Sequence, residues 1–207
     1  MSTRRPTVLA ILVLTAGTGI MAQVPPLPLP DQTVPMLQEI VATQAFEERV
    51  NQYVALHRIL EGPLPPLRPT RDMSQIPAAM QELALRIRFF RADAHQGDLI
   101  TPEVARVFRR RIATCLPAEA WAAILAENAE EQGDEEGVLA GPLPVLHVNM
   151  EWPEHVPFGF VPPQMLAVLP RLPGELQYRM IGNALVLWDH HANLIVDFLP
   201  GAFNTTS

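Results

Sequence analysis

The sequence predicts an α+β protein in which a bundle-like half of about four helices precedes a small antiparallel β meander. Apolar residues recur every three or four positions across region 35–128, which is the spacing of helices with one buried face. Three short runs rich in β-branched and aromatic residues then follow, separated by turn residues. Helices first and strands last is the order of an α+β fold.

The first two helices follow from their apolar stripes and from the residues that stop them. The first begins near Pro35 and stops at Gly62-Pro63, and its inward stripe consists of Phe46, Val50, Tyr53, His57 and Leu60. The second begins near Ser74 or Pro77 and ends at Gly97-Asp98. Its core stripe consists of Met80, Leu83, Ile87, Phe90 and Ala94.

Local start signals predict the next two helices. Thr101-Pro102-Glu103 combines a residue that caps free amides, a proline suited to the first turn and an acid at the positive helix end. Pro117 opens a fourth helix with Trp121 on its apolar side. Residues 129–141 are acidic and polar, so we expect an exposed linker there.

Residues 142–200 form the predicted β-rich region, and residues 201–207 a tail. We expect a strand at 145–150 and then three strands at 176–181, 184–188 and 194–199. Gly182-Asn183 is a two-residue hairpin turn, and residues 189–193 form a longer one.

The first 22 residues have the three parts of a secretory signal peptide. Arg4 and Arg5 supply positive charge, residues 8–20 supply an apolar stretch, and Ala22 is a small residue at the exit point. The apolar run is shorter than the ~20 residues of a membrane anchor, which is the alternative. We therefore expect a periplasmic or secreted protein without stable membrane insertion, in which a proline-rich tether spans 23–34.

Composition excludes several kinds of chemistry. All fifteen basic residues are arginine, so a phosphate-loop lysine and a Schiff-base lysine are impossible. Cys115 is the single cysteine, which rules out an internal disulfide framework. The net charge is −7 and becomes −9 when Arg4 and Arg5 leave with the signal. An acidic chain without a basic cluster is not expected to bind nucleic acid.

Two segments carry a family resemblance. The pattern at 169–179, followed by Gly182, residues 185–187, Asp189 and residues 192–197, resembles the tail of a family of exported bacterial proteins with no known activity. Residues 91–111 are similar to the middle of the same family. The last hairpins also resemble those of periplasmic proteins of nickel and cobalt homeostasis. The resemblance implies export and an α+β architecture, and it assigns no site.

The most ligand-like cluster is Asp189-His190-His191. Imidazole and carboxylate groups suit zinc, copper or nickel, and further ligands could come from His147 and His155. The alternative is a polar hairpin turn, because neighbouring strand residues point to opposite faces. His57 lies on an apolar stripe, where a hydrogen-bonded core histidine is the commoner role.

We expect a non-enzymatic interaction module that contacts a protein partner of the cell envelope and needs no cofactor. Trp152, Phe158 and Phe160 lie in a proline-rich segment, where aromatic side chains serve as contact points. Their alternative role is to cap the core between the helices and the meander. The alternative function is a periplasmic metal-binding or metal-homeostasis protein that holds a transition-metal ion in the His/Asp cluster.

Overall fold

The computed structural model describes residues 33–64, 75–132, 143–154 and 156–203. Within them, long helices come first and a meander of three strands comes last, which confirms the predicted α+β class. The elements in chain order are α1 (Thr33–Glu61), α2 (Gln75–Phe90), α3 (Pro102–Cys115), α4 (Ala118–Gln132), α5 (Pro163–Val168), β1 (Leu176–Ile181), β2 (Ala184–Asp189) and β3 (Leu194–Leu199).

The sheet is antiparallel with the order β1-β2-β3. Ile181 pairs with Ala184 across the first turn, where Gly182 adopts a positive φ of 53° that suits a residue without a side chain. Asp189 pairs with Leu194 across the second turn, and a register shift occurs between Leu187 and Trp188. Both predicted hairpins are therefore confirmed.

The main core lies between the helices and one face of the sheet. The predicted stripe of α1 is buried along its whole length, from Phe46 to Leu60. α1 packs against α2 and α3, and α3 packs against α5. Side chains that alternate along β1 and β2, such as Tyr178 and Leu187, complete this core from the sheet.

The other face of the sheet is covered by irregular chain from residues 146–154 and 156–158 rather than by a helix. Trp152 and Val156 pack there on Ile181, Val186 and Ile195. The indole Nε1 of Trp152 donates to the carbonyl of Val156 at 2.7 Å, which satisfies the polar atom of this buried ring.

The strand expected at 145–150 is not formed. Asn149 has a φ of 65°, outside the β region, and its amide donates to the carbonyl of Ile195 on the edge of β3. Ile195 in turn donates to Met150, and Glu151 and Leu194 form an isolated bridge. The segment therefore lies along the sheet edge as irregular chain.

α2 also ends earlier than expected, at Phe90 rather than near Gly97. Phe90 is exposed instead of buried. The connection to α3 is organised by the carboxylate of Asp197, which accepts hydrogen bonds from the amides of Gly97, Leu99 and Ile100. Thr101 occupies the predicted N-cap position of α3, but its side chain makes no capping hydrogen bond.

Several expectations lie outside the described residues. They are the signal peptide, the tether up to residue 32, the linker from residue 133 onward, His155 and the end of the tail. α4 reaches Gln132, inside the range expected to be linker. None of the helices in the described ranges combines the length and apolarity needed to span a bilayer.

Candidate metal centre

The candidate site forms where the last turns of α1 face the end of β2. Tyr53, His57 and Glu61 are spaced by four residues, so they lie on one face of α1. Alternate side chains of β2 point toward the helices, so Asp189 lies on the same face of the sheet as Leu185 and Leu187. Asp189 and His57 are both fully buried.

Each oxygen of the Asp189 carboxylate accepts two hydrogen bonds. Oδ2 accepts from the Tyr53 hydroxyl at 2.5 Å and from His57 Nδ1 at 2.6 Å. Oδ1 accepts from the amides of His191 at 3.0 Å and Ala192 at 2.9 Å. These four bonds match the acceptor capacity of an ionised carboxylate, so a buried negative charge is fully compensated.

Asp189 fixes the tautomer of His57. A carboxylate only accepts, so the proton of the neutral imidazole resides on Nδ1. The lone pair of Nε2 then points away from Asp189. This Nε2 atom is buried and has no hydrogen-bond partner in the described structure. A buried nitrogen without a partner costs free energy unless a ligand engages it.

Glu61 and His191 face the unpaired nitrogen of His57. Glu61 Oε2 lies 3.4 Å from His57 Nε2, which is an ion-pair distance only when the imidazole is protonated, and no hydrogen bond forms between the two atoms. Glu61 Oε1 lies 3.1 Å from His191 Nδ1. Donor atoms of the three side chains all lie within 4.8 Å of one another. We call His57, Glu61 and His191 the His/Glu triad.

The triad has two ligand-to-ligand distances near those of a tetrahedral site. Ligands about 2.0–2.2 Å from a tetrahedral ion lie roughly 3.3–3.6 Å apart; here Glu61 Oε2 is 3.4 Å from His57 Nε2, and the other oxygen, Oε1, is 3.1 Å from His191 Nδ1. His57 is enclosed, whereas the side chains of Glu61 and His191 are 42% and 39% exposed. The triad therefore opens to solvent on one side, which would leave a fourth coordination position for water.

Electrostatics around the triad keep Asp189 ionised. Burial raises its pKa, but the hydrogen bond and charge of His57 and the Tyr53 hydroxyl outweigh this and bring the pKa below the ordinary value. Burial lowers the pKa of His57, and the contact with Asp189 raises it by more. Burial and the neighbouring Asp189 raise the pKa of Tyr53, so its hydroxyl stays protonated and donates.

The metal ligands expected from the sequence do not all lie in the triad. His191 joins the triad, while Asp189 contacts His57 from behind and is not itself part of that group. His190 Nε2 contacts the carbonyl of Gly174 at 2.7 Å and also lies outside the triad. His147 is exposed on the segment that covers the far face of the sheet. His155 lies outside the described residues.

The three aromatic residues expected to contact a partner have different environments. Trp152 is only 5% exposed and packs against Trp188, with ring centroids 5.8 Å apart. Phe158 and Phe160 are 47% and 50% exposed. The expectation of an exposed contact therefore applies to the two phenylalanines, whereas Trp152 caps the sheet.

Two members of the triad were not among the site residues expected from the sequence. His57 was interpreted as a hydrogen-bonded core histidine, and its contact with Asp189 agrees with that interpretation. Glu61 is not among the metal ligands that the sequence predicts. The signal available for this pair is its spacing, because a histidine and a glutamate four residues apart on a helix share one face.

Comparisons with known proteins assign no function to this site. The chain matches no protein-family model, no curated protein and no solved structure. The family resemblances noted in the sequence thus receive neither support nor contradiction from these comparisons.

Proposed function

We propose that the chain is an exported metal-binding protein that holds one divalent transition-metal ion in the His/Glu triad. The observation that carries the proposal is the buried Nε2 atom of His57, which has no hydrogen-bond partner and faces Glu61 and His191. Export is supported by the three-part leader in the first 22 residues.

The surroundings of His57 support a ligand role. Histidines that bind metals almost always donate their second ring N–H to a carboxylate, carbonyl or water, which fixes the ring and raises its basicity. Asp189 fills that position at 2.6 Å from Nδ1, and Tyr53 and two backbone amides hold Asp189 in turn. The ligand nitrogen is thus oriented before an ion arrives.

The chemistry of the donors narrows the class of metal. Two imidazoles and one carboxylate favour zinc, nickel, cobalt or copper, whereas magnesium and calcium prefer oxygen ligands throughout. Zinc accepts three protein ligands of this kind plus a water in an open fourth position. The exposed side of the triad provides room for that water and a path of entry.

Titration of the purified full chain, carrying no polyhistidine tag, with Zn²⁺ and Ni²⁺ in a calorimeter tests the proposal. We expect one tight site per chain. His191→Ala and Glu61→Gln each change a partly exposed ligand, so both variants should fold. Each should lower the affinity at least ~100-fold, because even outer-shell partners of a ligand contribute about 10- to 100-fold.

His190→Ala is the matched control. It removes a histidine from the same turn that lies outside the triad, although its ring centroid is 4.6 Å from that of His191, so it should lower the affinity by less than ~10-fold and by much less than His191→Ala. A wild-type chain that binds neither ion more tightly than His191→Ala contradicts the proposal. Equal losses in His190→Ala and His191→Ala also contradict it.

The expectation of a protein-interaction module stays a prediction. The half-exposed rings of Phe158 and Phe160 are the described feature that favours it. Those rings also line a cavity whose charge points to a small ligand.

A further inference from the structure

A cavity of about 690 Å³ lies beside the edge strand β1, away from the His/Glu triad. Its lining includes Phe158 and Phe160, Tyr178 and Arg179 of β1, and Arg171 on the loop after α5. The volume is in the range of pockets for small organic ligands. Mostly apolar walls with a few polar groups are typical of such pockets.

Arg179 is held in a fixed position in this lining. Its guanidinium carbon lies 4.9 Å from the ring centroid of Phe158 and 5.5 Å from that of Trp188, so the cation rests against two aromatic faces. Its Nη2 atom donates to the side-chain oxygen of Gln177. The ordered planar group can therefore receive a ligand without first losing much conformational freedom.

Arg179 has no acidic partner among the described residues. Its Nε atom is buried and makes no hydrogen bond there, and burial lowers the pKa of its guanidinium. Neither Arg171 nor Arg179 takes part in any of the ion pairs found in the described ranges. An arginine that is partly withdrawn from water normally pairs with an anion.

The charge of the cavity is opposite to that of the chain. Its described lining contains two arginines and neither aspartate nor glutamate, although the whole chain carries a net charge of −7. A concave region of one sign with apolar walls concentrates ions of the opposite sign. The charge and the apolar walls of the cavity therefore favour a ligand in which a negative charge is attached to an apolar group.

The aromatic wall is held by Asn128, a buried residue of α4. Its side chain accepts from the amide of Phe160 at 2.7 Å and donates to the carbonyl of Phe160 at 3.2 Å. A side chain at Gly159 would place its Cβ 3.0 Å from Asn128 Cγ, too close without a shift. These contacts fix the backbone of the wall at Phe160 to a helix.

We infer that this cavity binds a small aromatic carboxylate, whose carboxylate meets Arg179 and Arg171 and whose ring lies between the phenylalanine side chains. Planar guanidinium groups bind carboxylates by paired, charge-assisted hydrogen bonds. Phe158 and Phe160 supply the surface against which a ring stacks. The inference is independent of the metal proposal, because the cavity shares no residue with the triad.

The inference is tested by binding of phenylacetate and of its neutral analogue phenylacetamide to the full chain. Ligand-detected NMR measures the binding, and a chelator is present to remove metal ions. The acid should bind at least ~10-fold more tightly than the amide, since hydrogen bonds to charged groups are the stronger class. Arg179→Met should weaken binding of the acid by at least ~10-fold and leave the amide nearly unchanged.

Arg171→Met provides a second variant on an exposed residue, where loss of folding is not expected. This variant should weaken binding of the acid by a smaller factor than Arg179→Met does. Arg106→Met is the matched control, because it removes the same charge from an exposed position on α3. Equal affinities for acid and amide, no binding of the acid at millimolar concentration, or equal losses in all three variants would overturn the inference.

Discussion

At the scale of single residues, Asp189 determines whether His57 can act as a ligand. It is the acceptor for Tyr53, for His57 and for two backbone amides, and each of these contacts joins the end of β2 to a neighbouring segment. A buried charge of this kind is tolerated only when its hydrogen bonds are complete. The same contacts keep the Nε2 lone pair of His57 directed at Glu61.

Asp189→Asn should therefore lower both stability and metal affinity. The amide keeps the shape but not the charge, and breaking a buried charged network in this way costs about 3–5 kcal/mol. Denaturant unfolding of the metal-free protein measures the loss. Tyr53→Phe, which removes one hydrogen bond to this charged carboxylate, should cost less, about 1.5–3 kcal/mol. Equal stability of Asp189→Asn and wild type would show that the network is not formed.

Glu175 lies outside the triad, but its charge interacts with His57, and it predicts a pH dependence of stability. Its Oε1 accepts from Arg58 Nε at 2.6 Å. Burial raises the pKa of Glu175, but the hydrogen bond from Arg58 and the backbone contact outweigh burial and hold the pKa below 4.5. A pKa lowered by folding contributes stability above pH 4.5, and this contribution is lost as the pH falls through the lowered pKa.

The free energy of unfolding of wild type and Glu175→Gln, compared at pH 6 and at successively lower pH, measures this contribution. We expect the wild type to be the more stable at pH 6 and the difference to shrink below pH 4.5. The comparison between the two proteins cancels the titration of groups that do not interact with Glu175; His57 does interact with it, so its titration contributes to the difference near its own pKa. A difference that stays constant with pH contradicts the assignment.

The triad was only partly accessible to sequence reasoning, for a physical reason. His191 stood out because it lies in a turn beside an acid and another histidine. The contact between His57 and Asp189 spans 132 positions, and nothing local in either segment specifies it. Only the helical spacing of His57 and Glu61 was visible in advance.

At the scale of elements, Asp197 connects β3 to the segment between α2 and α3. Its carboxylate accepts from the amides of Gly97, Leu99 and Ile100 at 2.8–2.9 Å. Gly97 has a φ of 95°, a conformation that other residues rarely adopt, and this bend turns the amides toward the carboxylate. These contacts fix the start of α3 in place of a side-chain cap.

Asp197→Ala should leave those three amides without their acceptor. The amides of Leu99 and Ile100 are buried, and at about 1–3 kcal/mol for each buried group left unpaired, the loss of stability should be at least about 2 kcal/mol. Hydrogen exchange of Leu99 and Ile100 should accelerate together. Asp98→Asn, on an exposed neighbour that accepts from the His95 amide, should change both readouts little. Unchanged exchange in Asp197→Ala would refute this role.

Elements whose signals are local were predicted well. The hairpins follow from Gly182-Asn183 and from the polar turn after Asp189, and α1 follows from its continuous buried stripe. Residues 145–150 have the composition of a strand, yet Asn149 turns the chain along β3 instead. α2 ends at Phe90, where the side chain of the distant Asn149 donates to the carbonyl of Arg91, and Asp197 binds the amides further along the chain.

At the scale of the whole molecule, a bound ion would connect two parts that are distant in sequence. His57 and Glu61 belong to α1, and His191 belongs to the turn between β2 and β3. An ion held by all three binds only the folded chain, so its binding free energy adds to the stability of the fold.

Zinc should therefore raise the melting temperature in a concentration-dependent way. At 100 times the dissociation constant, the stabilisation is about 2.7 kcal/mol. Differential scanning calorimetry with and without zinc measures it. His190→Ala should keep the increase, whereas His191→Ala should lose it. An equal increase in both variants would place the ion outside the triad.

Anomalous diffraction from crystals soaked in Zn²⁺, with data collected above and below the zinc absorption edge, locates the ion itself. We expect one strong anomalous peak about 2.0–2.2 Å from His57 Nε2, a Glu61 oxygen and a His191 ring nitrogen, with Asp189 still bound to His57 Nδ1. Zinc held by His190 or His147 without His57, or no peak near Glu61, would contradict it.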